Sequence, residues 1–211
     1  MKHWVFDLDG TLVDSSPAYE KAIEIIFSNF GLICSADDLQ KAHLYFNPYE
    51  FFSLYLKEKQ VVAAIDMLLQ LNLDHADKIT EFSGISELIE NLYNKNVKLS
   101  VWTGRDYFSA RKILDHLGLS KYIDQCVSRT CVTNTKPLPD GLLKILKDSA
   151  GHPSHTVMVG DHQYDILGAR AASVKAVSVS WKSSAVSDLV KISDHHFYQV
   201  ADLKTWALNH Y

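Results

Sequence analysis

The chain has 211 residues, of which 47% are apolar and 22% charged, and a formal net charge of −4. This is typical of a soluble globular protein with one sizeable domain, or a core with a modest insertion. The charge provides no basic surface for nucleic acid, and no segment reaches eighteen consecutive apolar residues, so neither a nucleic-acid partner nor a membrane span is expected.

The three cysteines, Cys34, Cys126 and Cys131, fit no zinc or redox spacing. The N-terminus shows no signal or transit pattern. We therefore expect a reduced, cytoplasmic setting in which the thiols are buried or idle.

The first predicted element is a short buried strand at residues 4–6. After residue 96, strand-like runs alternate with helical patterns. The runs cover residues 97–103, 122–128, 156–160 and 175–181, and a last strand at 195–200 precedes a closing helix at 201–210. Strands that alternate with helices predict a parallel sheet covered by helices on both faces.

Residues 16–83 interrupt this alternation. Strand-like runs are absent there, and long helical patterns such as residues 48–71 dominate. Ser16 and Pro17 form a typical helix start, a capping hydroxyl followed by proline at the first helical position. We predict an α/β fold in which residues 1–15 and 84–211 form a Rossmann-like core with a parallel sheet, and residues 16–83 form an inserted α-helical domain.

Polar groups follow the predicted core strands at four places. They are Asp7 and Asp9 in DLDGT, Thr103, Gly104 and Arg105 in TGR, Lys136 in TKPLPD, and Asp161 and Asp165 in GDHQYD. Taken singly, such an aspartate is usually a turn or helix cap, and such a lysine usually lies on the surface. In open parallel sheets, however, ligands bind beyond the carboxyl ends of the strands. The order of these groups along the chain predicts that they converge there.

These motifs resemble those of the haloacid dehalogenase-like hydrolase superfamily, in the branch with a helical cap inserted after the first motif. Phosphoglycolate phosphatases belong to that branch. The resemblance rests on DLDGTLVDS, TGR, KPLPD and GDHQYDILGARAA and covers essentially the whole chain. It implies a phosphatase that hydrolyses a small phosphorylated metabolite through an aspartyl-phosphate intermediate, as a monomer or a small homo-oligomer.

The resemblance also implies a role for each motif residue. Asp7 would be the nucleophile, and Asp9 would be the general acid and then the general base. Thr103 and the amide of Gly104 would bind phosphate oxygens. Lys136 would hold Asp7 and the phosphoryl group together.

A magnesium ion is the implied cofactor. Asp7, the backbone carbonyl of Asp9 and Asp161 would hold it, and Asp165 would support it directly or through water. Charge favours a metal independently, because two unit charges 4 Å apart repel by about 4 kcal/mol at an effective dielectric constant of 20. Several such pairs form when a phosphate dianion joins three carboxylates, and one lysine does not offset them. Mg²⁺ retains waters and bridges carboxylates to phosphate.

Two alternatives stay open. A phosphomutase of the beta-phosphoglucomutase type keeps both aspartates, although its hexose-phosphate members typically carry histidine where this chain has Tyr19. A non-catalytic binding module on the same fold would most simply lack one of the motif residues, and all are present here. Asp9 itself favours phosphate esters over halides, because a halide leaves as a stable anion that needs no proton. Ser173 and Lys182 stand where many family members carry glycine, which affects only local backbone detail.

The cap is expected to determine substrate choice. Tyr19, His43 and Arg105 are candidates for contacting the non-phosphate part of the substrate. Asn47 and Pro48 interrupt the helical pattern and mark the expected substrate-facing loop.

Overall fold

The computed structural model describes residues 2–45, 47–182 and 187–210, with only the backbone described for residue 187. The chain forms two compact units, the first comprising Met1–Asp14 and Thr80–Tyr211 and the second Ser15–Ile79. Within the described residues, no helix has both the length and the apolar character needed to cross a membrane. The three cysteines are free and partly buried.

A six-stranded parallel sheet forms the centre of the first unit. Its strands are β1 (His3–Phe6), β4 (Lys98–Thr103), β5 (Gln125–Ser128), β6 (Thr156–Gly160), β7 (Lys175–Val179) and β8 (His195–Phe197). They lie in the order β5-β4-β1-β6-β7-β8. The central strands β1, β4 and β6 are almost fully buried, as expected for a sheet covered on both faces. The predicted Rossmann-like α/β class is confirmed.

Helices cover both faces of this sheet. They are α5 (Ile85–Asn94), α6 (Tyr107–His116), α7 (Asp140–Asp148), α8 (Gln163–Ala171), α9 (Ser187–Ile192) and α10 (Val200–His210). Val5 packs in one cluster with Leu142 of α7 and Ile166 of α8. Trp4 points to the opposite face, since side chains alternate along a strand, and its ring lies 5.6 Å from that of Trp206 in α10.

The second unit contains the helices α1 (Ser16–Asn29), α2 (Ala36–Leu44), α3 (Pro48–Phe52) and α4 (Glu58–Asp74). Its core is a cluster rich in aromatic and aliphatic side chains, including Ile23, Ile26, Phe27, Phe51, Phe52, Val61 and Leu68. The stacked rings of Phe27 and Phe51, 6.0 Å apart, join α1 to α3. Tyr45 and Tyr55 also pack against this cluster.

The helical pattern at residues 48–71 does not form one helix, because α3 ends at Phe52 and α4 begins at Glu58. Two backbone amides after α3 bond three residues back, from Leu54 to the carbonyl of Phe51 and from Tyr55 to that of Phe52. These tighter turns end the helix. Apolar periodicity continues through the break, so the sequence pattern alone does not show it.

A short antiparallel pair, which the sequence analysis did not identify, lies where the chain leaves and re-enters the first unit. It joins β2 (Val13–Asp14) to β3 (Thr80–Glu81). Residues 80–83, assigned from sequence to the insertion, therefore belong to the first unit, while Ser15 belongs to the second. Two-residue strands are too short to show an alternating pattern.

The predicted cap of α1 differs in detail. Ser16 is the first residue of α1 rather than its N-cap, and Ser15 at the N-cap position makes no capping side-chain bond. Helix α7 ends at Asp148, and Ala150 after it adopts the left-handed conformation, at φ 52°. The amide of Gly151 then bonds to the carbonyl of Leu146 at 2.8 Å, which satisfies a carbonyl at the helix end.

Candidate active site

Asp7 immediately follows β1, and its amide continues the sheet by donating to the carbonyl of Val159 at 2.8 Å. The chain then turns sharply through Gly10, whose φ is +75°. A β-carbon at Gly10 would lie 2.0 Å from Oδ2 of Asp161, so no other residue fits there without displacing that carboxylate. The glycine of the D-x-D-G-T motif thus lets the loop after β1 approach the loop after β6.

Lys136 links two of the predicted aspartates. Its Nζ lies 2.8 Å from Oδ1 of Asp7 and 2.5 Å from Oδ1 of Asp165. Lys136 is 5% exposed, and its ammonium also lies 4.9 Å from the ring centre of Trp102 in β4. A buried ammonium between two carboxylates is held in place, because it has no other means of compensating its lost hydration. Trp102 is a supporting residue that no sequence pattern indicated.

Asp165 is fixed from two sides. Its carboxylate accepts a hydrogen bond from the amide of His162 at 3.0 Å, which caps the start of α8, while its other oxygen faces Lys136. A β-carbon at Gly160 would lie 2.3 Å from this carboxylate, so the glycine before Asp161 makes room for it. Asp165 therefore positions Lys136 as well as lying in the acidic cluster.

Asp7, Asp161 and Asp165 bring carboxylate oxygens within 4.8 Å of one another. Burial raises the pKa of Asp7 to about 7, with further increases from Asp165 and Asp9, while Lys136 opposes the change. Burial, Asp7 and Asp165 also raise the pKa of Asp161 well above its usual value. The cluster therefore gathers two buried carboxyl groups and one half-buried carboxyl group around a single ammonium, and a divalent cation with oxygen ligands would stabilise their ionised forms.

The side chain of Thr11, in the same D-x-D-G-T motif, supports this cluster. Its Oγ1 donates to Oδ1 of Asp161 at 3.3 Å, and its carbonyl accepts a hydrogen bond from Nε1 of Trp181 at 2.9 Å. The sequence analysis assigned Thr11 no role. Lys182, one of the departures from the family pattern, forms an ion pair with Asp14 at 2.5 Å.

The carboxylate of Asp9 lies outside the acidic cluster. Arg105 binds it through two parallel hydrogen bonds, from Nε to Oδ2 at 3.0 Å and from Nη2 to Oδ1 at 2.6 Å. The Arg105 side chain is 7% exposed. Among the residues predicted to hold the metal, Asp9 therefore differs from the other three, because its side chain binds Arg105 and not the acidic cluster.

Thr103 and Gly104 lie at the carboxyl end of β4, the strand beside β1. Thr103 is buried, and its Oγ1 accepts a hydrogen bond from the amide of Arg105 at 3.1 Å. The fold thus brings all the core motif residues to one edge of the sheet. Their roles remain predictions.

Tyr19 and His43 belong to the second unit and lie together there. Their rings are 5.4 Å apart. The Tyr19 hydroxyl donates to the carbonyl of Ala42 at 3.2 Å, and Nε2 of His43 lies 2.9 Å from Oε1 of Glu20. Both side chains therefore already have partners within the helical unit.

The expected loop at Asn47 and Pro48 is the beginning of α3. The Asn47 side chain caps this helix by accepting from the amide of Tyr49 at 3.0 Å. The segment thus has a structural explanation, and its neighbour at position 46 lies outside the described residues.

Residues 4–179 match the model of a family described as haloacid dehalogenase-like hydrolase. The chain belongs to this family. It is 28% identical over 203 residues to pyrophosphatase PpaX of Oceanobacillus iheyensis, covering 95% of this chain and 92% of the relative. It is also 28% identical to a phosphoglycolate phosphatase of Aquifex aeolicus, covering 94% of this chain and all of the relative.

Among solved structures, a haloacid dehalogenase-like family hydrolase from Streptococcus pneumoniae matches with a TM-score of 0.86 and 21% identity, covering 98% of each chain. At this identity the likeness establishes the shared fold. Together with the family match, the relatives confirm the predicted family and the predicted class of enzyme, a phosphoric monoester hydrolase of the haloacid dehalogenase-like family.

Proposed function

We propose that this protein is a Mg²⁺-dependent phosphatase that hydrolyses a small phosphorylated metabolite through a phosphoryl group carried by Asp7. The observation that carries the proposal is the buried Asp7 carboxylate, held by Lys136 at 2.8 Å and clustered with Asp161 and Asp165. A carboxylate fixed in this way at the end of β1 presents an oxygen nucleophile with one orientation.

The first chemical step forms a bond between an Asp7 oxygen and phosphorus while the ester P–O bond breaks. The departing oxygen takes a proton from Asp9, which must carry that proton in place of one of its two hydrogen bonds to Arg105 and afterwards returns to the carboxylate that Arg105 binds. In the second step a water molecule gives a proton to Asp9 and attacks phosphorus. The bond to Asp7 then breaks, inorganic phosphate is released and the starting carboxylate of Asp7 returns.

Lys136, Thr103 and the amide of Gly104 would hold the phosphate oxygens during both steps. Lys136 also compensates the negative charge that Asp7 and an incoming phosphate bring together. The ammonium is already fixed by Asp165 at 2.5 Å, so it requires little reorganisation when substrate binds.

The metal ligands would be the carboxylates of Asp7 and Asp161 and the backbone carbonyl of Asp9, with Asp165 binding directly or through water. The bound Mg²⁺ would neutralise the negative charge gathered around the phosphate. The donor set fits, because it consists of oxygen atoms only and gathers three carboxyl groups around the one ammonium of Lys136.

The names of the relatives support a proposal for the substrate class. One is named for pyrophosphate and another for phosphoglycolate, and in both compounds the group that leaves phosphorus is itself an anion. We propose a small phosphate ester or anhydride of this type, with the helical unit Ser15–Ile79 acting as the cap that selects it. The reaction needs neither nucleic acid nor membrane, and we propose a cytoplasmic monomer or small homo-oligomer.

A substrate screen tests the proposal. The purified protein would be incubated with Mg²⁺ and a panel that contains phosphoglycolate, pyrophosphate and sugar phosphates, and the release of inorganic phosphate would be measured. We expect release from at least one compound, and no release with Asp7→Asn. If no compound in the panel released phosphate, the result would instead favour a binding module on the same fold.

The phosphomutase alternative needs a separate measurement. A hexose 1-phosphate would be followed by phosphorus NMR with Mg²⁺ present. We expect inorganic phosphate in proportion to any substrate lost, because Tyr19 stands where hexose-phosphate mutases typically carry histidine. Accumulation of the 6-phosphate isomer without inorganic phosphate would establish a mutase.

A further inference from the structure

Arg105 has unused hydrogen-bonding capacity in a buried position. Two of its nitrogens, Nε and Nη2, bind the Asp9 carboxylate. The third, Nη1, is buried and has no hydrogen-bond partner among the described residues. A guanidinium has five N–H donors, and both hydrogens of Nη1 are left unsatisfied.

An unpaired buried donor is costly, and a charged donor more so. Arg105 nevertheless remains 93% buried as a side chain, since its exposed fraction is 7%. The Asp9 carboxylate explains why the guanidinium is held at this place, but it does not explain the unsatisfied nitrogen. A ligand that brings acceptor oxygens to Nη1 would explain the unsatisfied nitrogen.

We propose that Nη1 of Arg105 binds an anionic group on the leaving part of the substrate, so that Arg105 selects phosphate esters whose leaving group carries a carboxylate or phosphoryl group. This inference rests on the proposed phosphatase function and deepens it.

The position of Asp9 indicates why the leaving group is the part that is recognised. In the proposed mechanism Asp9 gives its proton to the departing oxygen. A guanidinium is planar and rigid, so Nη1 is held at a fixed place relative to the two nitrogens that bind Asp9. The phosphoryl group itself has a different cation, Lys136, which is bound to Asp7. Lys136 therefore binds the phosphoryl group, and Arg105 binds the anionic group on the leaving part.

The preference for an anionic leaving group tests this directly. Phosphoglycolate and ethyl phosphate are matched substrates, one with and one without a carboxylate. We expect the wild-type kcat/KM to favour phosphoglycolate by at least about tenfold, as one charge-assisted hydrogen bond would provide. Equal values for the two esters would overturn the proposal.

The variants Arg105→Met and Arg105→Lys separate binding of the leaving group from support of Asp9. Arg105→Met should slow both substrates, since Asp9 loses its partner. The preference for phosphoglycolate should also fall by about tenfold or more, to near equality of the two esters, mainly through KM. Arg105→Lys keeps the charge without the planar donors and should retain part of the preference. Arg111→Met, which removes a surface arginine paired with Asp115, is the control. If Arg105→Met slowed both esters equally, Arg105 would serve only to position Asp9.

A binding measurement keeps this test independent of turnover. By calorimetry, 3-phosphonopropionate should bind the wild type more tightly than propylphosphonate, and Arg105→Met should weaken only the first, by about tenfold or more in Kd. Equal weakening, or none, would contradict the role of Arg105. If the wild type released no phosphate from any ester, the proposed function would fail, while these two Kd values would still decide whether Arg105 binds the carboxylate.

Discussion

Lys136 and Asp7 form a buried ion pair in which Nζ lies 2.8 Å from Oδ1, across 129 residues of sequence. Replacing Lys136 with methionine keeps much of the volume but leaves Asp7 and Asp165 without their cation. Uncompensated buried charge is strongly destabilising, so in EDTA we expect the free energy of unfolding to fall by about 3 kcal/mol or more. Urea denaturation measures this.

The matched control for this variant is Lys144→Met. Lys144 also pairs with a carboxylate, Asp148 at 2.7 Å, but on an exposed helix surface. Its loss should change the free energy of unfolding by less than about 0.5 kcal/mol. Similar effects of the two substitutions would show that burial of the Lys136 pair does not increase its contribution to the free energy of unfolding.

Asp7→Asn should abolish turnover and preserve the fold. The substitution removes the nucleophilic oxygen with little change in volume, so kcat should fall roughly a thousandfold or more. Thermal unfolding and circular dichroism should stay close to the wild type. Asp66→Asn, which changes an exposed aspartate of α4, is the control and should keep full activity. Retention of more than about a tenth of the wild-type kcat by Asp7→Asn would rule out the covalent route.

Activity should disappear with a chelator and return with Mg²⁺, whereas Ca²⁺ should inhibit because it accepts more ligands in looser geometry. A ligand that binds only the native state also raises its stability. We therefore expect Mg²⁺ to raise the Tm of the wild type, and Asp161→Asn to reduce this increase and to require at least about tenfold more Mg²⁺ for half-maximal activity. Full activity in excess EDTA would exclude the metal site.

Gly10→Ala should damage the metal site beyond its effect on the backbone. Gly10 has φ +75°, and an added β-carbon would meet Oδ2 of Asp161 at 2.0 Å. Gly31 has a similar φ of +71° with nothing within 4 Å, so Gly31→Ala carries the backbone cost without the contact. We expect Gly10→Ala to lose more stability than Gly31→Ala and to bind Mg²⁺ more weakly, as measured by urea denaturation and calorimetry. Equal losses of stability in the two variants would show that Asp161 moves away from the added β-carbon at no cost in free energy.

His3 should make stability depend on pH. Burial, and then the charge of Lys98, lower the pKa of His3 from 6.5 to about 4. Below pH 6.5 the unfolded chain takes up a proton that the folded protein does not, so the stability contribution is complete above pH 6.5 and is lost as the pH falls toward 4. Between pH 7.5 and 5.0 this loss amounts to about 2 kcal/mol.

The variant His3→Gln isolates this contribution from the carboxylates that titrate in the same range. Glutamine keeps a polar group beside Ser100, whose Oγ lies 2.9 Å from Nε2 of His3, but it does not titrate. We expect the decrease in unfolding free energy between pH 7.5 and 5.0 to be smaller in His3→Gln than in the wild type by about 2 kcal/mol. Identical pH dependence of the two proteins would contradict a buried neutral His3.

The sequence determined the fold class and the edge of the sheet on which the motif residues lie. Strands and helices follow local periodicity, and the carboxyl ends of parallel strands share one edge, so Asp7, Thr103 and Asp161 had to come together once the strands were identified. The motif glycines are explained by close packing, since Gly10 and Gly160 occupy positions where a β-carbon would displace an aspartate.

Tertiary structure alone decided which charges pair. Arg105 is 96 residues from Asp9 and was expected from sequence to contact substrate, yet its first partner is that carboxylate. Asp165 likewise faces Lys136 as well as the acidic cluster. Neither pairing has a periodic signature, because an ion pair depends on side-chain direction and burial after the strands are assembled. The break between α3 and α4 and the two-residue strands β2 and β3 were missed for a similar reason. They are determined by individual backbone hydrogen bonds, and the spacing of apolar residues carries no information about such bonds.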